Sequence, residues 1–359
     1  MMKRIRQAGK WLLTGALLCG GPLLAADSLS LAPATPRAQV VTAQNPQATE
    51  AFKPVPEIVE TMVNQAITNL TGKATVAEAW ASLTGTDEII GIKVFTAPGS
   101  ATGTRPSVVA AVVSGLLAAG IPTNHIILWD RHAADLRRAG FFDLGERFGI
   151  RVAGAADAGY EAQKFYENSL IGSLIFGDLE FGKKDEGVGK KSFVSKLVTR
   201  EMTKIINIAP VLNHNGAGVS GNLFSLAMSS VDNLTRFEAS PGRLATAVPE
   251  IYALPVLGDR VVLNISDALI CQYEGEERGL LHYSTALNEI RLSRDPVALD
   301  VLALQDLERS RKARASSVEL PVNWELYKNA ALLELGVADP KHIDITTLKP
   351  PAQGPTDTR

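Results

Sequence analysis

Four short stretches of this 359-residue chain gather side chains capable of chemistry. The densest is I-I-N-I-A-P-V-L-N-H-N-G-A-G-V-S-G-N-L-F, residues 205–224. There Asn213, His214 and Asn215 follow an apolar, β-branched run, and Ser220, Gly221 and Asn222 open the next helical stretch. A histidine can exchange a proton near neutral pH or ligate a metal. Glycines let backbone N–H groups approach a ligand, and a helix N-terminus offers unpaired donors. The same pattern also suits a tight strand-to-helix turn whose amides only satisfy the backbone. With no Gly-Lys-Ser/Thr in the chain, a P-loop is excluded, and a dinucleotide site is not expected either.

The second stretch is W-D-R-H, residues 129–132. Asp130 and His132 could share a metal or a proton and Arg131 could meet an anion, or Asp130 could cap the following helix. The third is S-D-A-L-I-C-Q-Y-E-G-E-E-R-G, residues 266–279. Asp267 and Glu274 are candidate acid/base carboxylates, and Glu274 joins Asp130 and His132 as a candidate ligand set for a divalent metal. Glu276, Glu277 and Arg278 read as surface, and Cys271, between apolar neighbours, as core. The fourth is G-I-K-V-F, where Lys93 interrupts a strand and is a natural anion contact if it points to a ligand.

The elements that must position these residues alternate between strand and helix. Residues 88–95 and 125–130 read as buried strands, and Val108, Val109, Val112, Val113, Leu116 and Leu117 between them fall at helical spacing. That is a βαβ unit. Further strands are expected at 204–211, 260–266 and 268–273, and helices at 55–70, 220–230, 242–253, 296–313 and 324–335. Asp295 reads as a cap, with Pro296 at the first helical position. The predicted fold is α/β, a mainly parallel, doubly wound sheet flanked by helices, in a single domain over 54–348. Ligands of such sheets bind outside the carboxyl ends of the strands. Residues 181–191, rich in Gly and Lys, read as an exposed loop or hairpin insertion.

Residues 27–53 read as a flexible arm and 349–359 as a disordered tail, since neither shows an apolar period. Residues 1–26 carry Lys3, Arg4, Arg6 and Lys10 ahead of a short apolar run that ends in small residues, the pattern of a secretory signal. Cleavage is expected near Ala25 or Ala26, and a lipid attachment at Cys19 is disfavoured by Leu18. The expected location is therefore the periplasm or cell envelope. Cleavage would remove four of the 36 basic residues and none of the 38 acidic ones, leaving a charge of −6. Nucleic-acid binding has no support in that balance. Only Cys271 would remain, and no later run is long enough to span a bilayer.

Several ordered motifs together resemble the "domain of unknown function 362" family: I-G-I-K-V-F with T-R-P-S-V-V-A-A-V, I-I-N-I-A-P-V-L-N-H, G-A-G-V-S-G-N-L, D-A-L-I-C-Q-Y-E-G and S-R-D-P-V-A-L-D-V. The resemblance covers roughly residues 85–345, and Lys93, Thr104, His214, Ser220 and Asp295 fit its pattern. The expected ligand contacts are Lys93, Thr104, Asn213, Asn215, Ser220 and Asn222, with His214 and Asp267 as catalytic candidates, and the family pattern by itself gives none of them a role. Some relatives carry iron–sulfur modules. This chain has no cysteine set for a cluster and resembles an exported subgroup without one. Two lysines usual in the family are missing, one where Asn213 stands and one after Asn222. The resulting expectation is a small-molecule site, anionic or metal-associated, with redox or acid/base chemistry. The alternative is a degenerate, non-catalytic interaction protein of the envelope.

Overall fold

The apolar runs become strands because each is covered on both faces. The structure, a computed structural model, describes residues 36–168, 174–185, 187–314 and 322–350. The expected signal sequence with Cys19, the first part of the arm and residues 351–359 lie outside the described residues. The strands are β1 (Ala38–Gln44), β2 (Ile90–Val94), β3 (Ile126–Asp130), β4 (Arg151–Gly154), β5 (Tyr160–Glu167), β6 (Lys191–Ser195), β7 (Lys204–His214), β8 (Val261–Gln272), β9 (Ser284–Ser293) and β10 (Ile343–Leu348). The helices used below are α1 (Pro56–Thr71), α2 (Pro106–Ala118), α3 (Ala133–Arg138), α4 (Asn222–Ser230), α5 (Pro241–Tyr252), α6 (Pro296–Ala313) and α7 (Trp324–Leu332).

The main sheet runs β10-β1-β9-β8-β7-β2-β3-β4, and a short strand, Gly218–Val219, folds back antiparallel onto β7. From β8 to β4 all neighbours are parallel, while β9 runs antiparallel to both β8 and β1. The fold is thus α/β, with a mostly parallel mixed sheet between helices. Alternation along each strand feeds two cores. Ile126 and Leu128 join Ile90, Ile92 and Val94 beneath α1 and α2, whereas Ile127 and Trp129 meet the core built by α4 to α7. The chain winds outward from β2 through β3 to β4, then crosses back to lay β7 on the other side of β2. The sheet's order therefore switches between β2 and β7, where a crevice forms at the carboxyl ends.

Two expectations change. The arm expected over 27–53 is ordered from Ala38 onward. β1 lies between β9 and β10, with Val41 opposite Leu292 and Val40 beside Ile345. Its neighbours come from the far end of the chain, so the A-Q-V-V-T-A-Q sequence shows little local sign of them. The two strands expected at 260–266 and 268–273 are one, β8, with register shifts beyond Asp267 and Ala268. Residues 181–191 belong to the connector between β5 and β6, which pair antiparallel as a separate hairpin. No helix among the described residues is long and apolar enough to cross a membrane.

Candidate functional site

The loops that leave β2, β3, β7 and β8 close on one cleft. A recess of about 240 Å³ is walled by Phe95, Phe224, Met228 and Leu234, with Asp130, His132, Asp135, Glu238 and Glu277 among its polar groups, and Arg131, which donates to Met228 O at 3.3 Å, also lines it. A second recess of about 580 Å³ adjoins it through Glu238 and Glu277 and adds His214, Asn215, Glu276 and Arg278. A groove of about 520 Å³ lies elsewhere, beside β9 and α6. There Arg291 and Arg309 are tied to Asp306, and no loop following a parallel strand of the β8-to-β4 sheet reaches it.

Below the cleft the charged candidates are paired. Lys93 is fully buried, with Nζ 3.0 Å from Asp130 Oδ1 and 2.9 Å from Ser225 Oγ. Asp130 also accepts from Thr96 N (2.8 Å), Thr96 Oγ1 (2.6 Å) and Ser229 Oγ (2.8 Å). Burial pushes the Lys93 ammonium below its ordinary range, against the pull of Asp130. Burial alone would raise Asp130, but Lys93 and Thr96 outweigh it and hold the carboxyl low. Lys93 is therefore neutralised internally, which removes the basis for an anion contact there. Asp130 does not cap α3 either, since Asp157 accepts from Ala133 N at 3.1 Å.

Asp267 is placed in the scaffold rather than in the cleft. Both its oxygens bind Arg105, one through the side-chain Nη1 and the other through the backbone N–H, each at 2.8 Å, and both residues are buried. Thr104 accepts from Phe95 N and donates to Ile208 O, tying the turn after β2 to β7. A carboxylate with no open face has no route to a substrate proton, so the acid/base role expected of Asp267 has no geometric support.

The turn after β7 divides its residues between scaffold and cleft. His214 Nδ1 accepts from the backbone N–H groups of Gly216 (3.1 Å) and Ala217 (3.0 Å), and its ring leans on Phe224 at 4.2 Å. With Nδ1 an acceptor, the neutral ring carries its proton on Nε2. Burial depresses its pKa, opposed by Glu276, so the neutral form is favoured. Asn213 accepts from Glu276 N and donates to Asn215, while Asn215 N donates to Glu276 Oε1, which ties the loops after β7 and β8 together. Asn222 is buried, bonded to Asp300, Ser266 and Asn207. Ser220 is buried too, with an Oγ that has no protein partner.

G-A-G-V-S-G does carry the G-x-G-x-x-G spacing, at Gly216, Gly218 and Gly221 between a strand and a helix. The dinucleotide reading fails here for a structural reason. The N-terminus of α4 is already filled by Asp300 of α6, which accepts from Asn222 N (2.6 Å) and Leu223 N (2.9 Å). A Cβ on Gly221 would lie 2.2 Å from Asp300 Oδ1, so the glycine makes room for a carboxylate rather than for a pyrophosphate. Burial pushes Asp300 up to about 7, and the backbone donors hold it down only in part.

Asp130, His132 and Glu274 do not assemble as a metal set. Among the described residues no group of three His, Cys, Asp or Glu side chains is placed to hold a metal ion. The carboxylate that reaches the Asp130 side of the cleft from the loop after β8 is Glu277, one residue type seen in the sequence only as surface. Glu277 is exposed as a residue, yet its carboxyl is crowded by the cleft wall and by Glu238, Asp130 and Asp135, and is pushed up to about 7. Glu238 gave no sequence signal, since it ends a short helical stretch, and Asp300 lies inside the S-R-D-P-V-A-L-D-V motif without standing out from it. Cys271 is core as expected, its thiol pushed up to about 12 by burial. Asp295 caps α6 through Ala298 N at 2.8 Å.

No curated protein matches the chain. It is similar to a crystal structure of a protein from Thermotoga maritima, with a TM-score of 0.41 and 12% identity over 74% of this chain; it spans 60% of that protein's length. The family model for a domain of unknown function, DUF362, matches residues 90–305, from β2 into α6, and the chain belongs to that family.

Proposed function

We propose that this protein binds a small molecule in the cleft at the carboxyl ends of β2, β3, β7 and β8, and that the ligand has an apolar body and a cationic end. The observation that carries this reading is the meeting of four strand-following loops on one cleft that holds aromatic walls together with Glu238 and Glu277, neither of which is in an ion pair among the described residues. Phe95 and Phe224 offer ring surfaces, and Glu238 and Glu277 offer charge, a combination suited to an ammonium group. The anionic ligand expected from Lys93 is set aside in this reading, because Asp130 already neutralises that lysine. His214 supplies an N–H donor, and Glu277, titrating near neutral pH, is the group best suited to exchange a proton. Residues 1–26 support action outside the cytoplasm, and N-terminal sequencing of the protein from fractionated cells would test that.

Calorimetry with a panel of organic ammonium compounds and matched carboxylates tests the binding reading. Ammonium compounds should bind the wild-type chain, and Glu238→Gln with Glu277→Gln should abolish the heat. A preference for the carboxylates, or binding untouched by the double variant, would overturn it.

A further inference from the structure

In the described part of the connector between β5 and β6, Asp178 and Glu180 are buried, while Asp185 and the rings of Phe176 and Phe181 are exposed. Asp178, only 7% exposed, accepts from the backbone N–H groups of Ile175 (2.8 Å) and Asn233 (3.0 Å). Glu180, 9% exposed, accepts from Gly189 N at 2.9 Å, and Asp232 in the body of the protein accepts from Leu179 N at 2.9 Å. Two of these bonds, from Asn233 N to Asp178 and from Leu179 N to Asp232, tie the loop to the body of the protein, and the other two brace it internally. The rings of Phe176 and Phe181 face water, while Ile175 is part exposed and part of the cleft's lining. Phe176 is 88% exposed, Phe181 49% and Ile175 42%, and the two rings meet edge to face at 5.4 Å. Nothing local obliges a pinned loop to hold two phenyl rings in water, and a fixed apolar tip of this kind marks an interaction surface.

The charge around the tip identifies the surface it fits. Residues 181–191 contain four lysines against two acids, in a chain whose overall charge is −2. Lys183 and Lys184, two and three residues after Phe181, are exposed, with Asp185 exposed beside them. A protruding pair of rings with a basic collar has the chemistry of an interfacial anchor. Rings enter the headgroup–acyl boundary, and ammonium groups stay among the phosphates. A protein partner would need a ready pocket for a protruding tip, whereas a lipid surface closes around one. We propose that the β5–β6 connector docks the protein on an anionic phospholipid bilayer by inserting Phe176 and Phe181, with Lys183 and Lys184 on the headgroups. This does not depend on what the cleft binds.

The test is co-sedimentation with vesicles containing phosphatidylglycerol, beside vesicles of phosphatidylcholine alone. The chain from Asp27 onward is used, because it keeps every described residue and drops the apolar run near the N-terminus that would itself bind lipid. Wild type should partition to the anionic vesicles. Phe176→Ser with Phe181→Ser should reduce partitioning at least about tenfold. Lys183→Gln with Lys184→Gln should reduce it several-fold, and added salt should mimic that loss. All variants should keep the wild-type melting temperature, since the side chains are exposed. Equal partitioning of the wild-type and phenylalanine variants, or no wild-type binding to anionic vesicles, would overturn the proposal. Binding indifferent to lipid charge would overturn the role of the lysines. Self-association that the phenylalanine substitutions remove, without vesicle binding, would place a second copy on the tip and overturn it as well.

Discussion

At the sheet's carboxyl edge, the pairs Lys93–Asp130 and Arg105–Asp267 lie below the loops, while His214, Glu238 and Glu277 lie among them. Both levels hold charge, yet they differ in how completely it is answered. In the lower level each charge has an opposite partner within 3.0 Å, and only an edge of Asp130 reaches the cleft. In the upper level, Glu277 is surrounded by other acids, and His214 uses only one ring nitrogen on the backbone. Sealed charge holds strands and turns together, and charge left partly unanswered at a rim is available to a ligand. The distinction is one of burial and partners rather than residue type, and substitutions at both levels can break or sharpen it.

The largest effect should come from opening the lower level. Arg105→Met leaves Asp267 buried beside apolar strands with only backbone donors, at a cost of about 3–5 kcal/mol in urea unfolding. Arg105→Met with Asp267→Leu should recover most of that loss, since a well-packed apolar pair replaces the ions. Lys93→Met should cost less, about 3 kcal/mol, because Asp130 keeps its bonds from Thr96 and Ser229. A loss below about 1 kcal/mol in both single variants would mean that water reaches this level and the two levels do not differ.

Gly221→Ala comes next. Its Cβ would lie 2.2 Å from Asp300 Oδ1 and must push the carboxylate off Asn222 and Leu223, at a cost of about 1–3 kcal/mol. Gly242→Ala, a helical position with nothing within 4 Å of its Cβ, is the matched control and should not destabilise. Equal melting temperatures for the two variants would show that Asp300 does not hold the start of α4.

Much of the scaffold was legible in the sequence because strands covered on both faces must be continuously apolar. I-I-L-W-D could hardly be anything but a buried strand, and Pro106 and Gly120 frame the helix after β2. β1 was not legible, since its order comes from β9 and β10, whose residues lie some 250 or more positions along the chain. The cleft was legible in place, and the pairing of its residues was not. The carboxyl ends of β2, β3 and β7 do supply the cleft, but Arg105 and Asp267, 162 positions apart, pair in a way that no local pattern announces. Glu277 is exposed, as a surface acid should be, but the upward push on its carboxyl, from burial first and then from Glu238, Asp130 and Asp135, comes from groups brought near only by the fold.

His214 joins the two levels, and pH should show it. Its pKa is depressed by burial, so its contribution to stability is present above the unfolded histidine value near 6.5 and is lost as pH falls through the lower folded value. Protonation also takes Nδ1 from Gly216 and Ala217. Between neutral pH and about 5, wild type should lose roughly 1 kcal/mol more than His214→Asn, followed by chemical unfolding at each pH. Parallel pH profiles for the two proteins would place His214 in open solvent, outside either level.

The smallest effect concerns the rim alone. Glu277 is pushed up to about 7, first by burial of its carboxyl in the cleft and then by Glu238. A carboxyl raised in this way favours folding in acid and opposes it as pH rises through its folded pKa, the reverse of His214. Carbon-detected NMR of the glutamate carboxyl groups should show one midpoint near 7 that disappears in Glu277→Gln. Glu238→Gln should lower that midpoint by less than about one pH unit, because the neighbour's charge goes while the burial stays. An organic ammonium ligand seated between the two acids should move it in the same direction and further, since a cation favours the ionised form. A midpoint in the free-glutamate range near 4.3 would instead mean that the rim is fully hydrated, and the contrast with the sealed pairs beneath it would then rest on His214 alone.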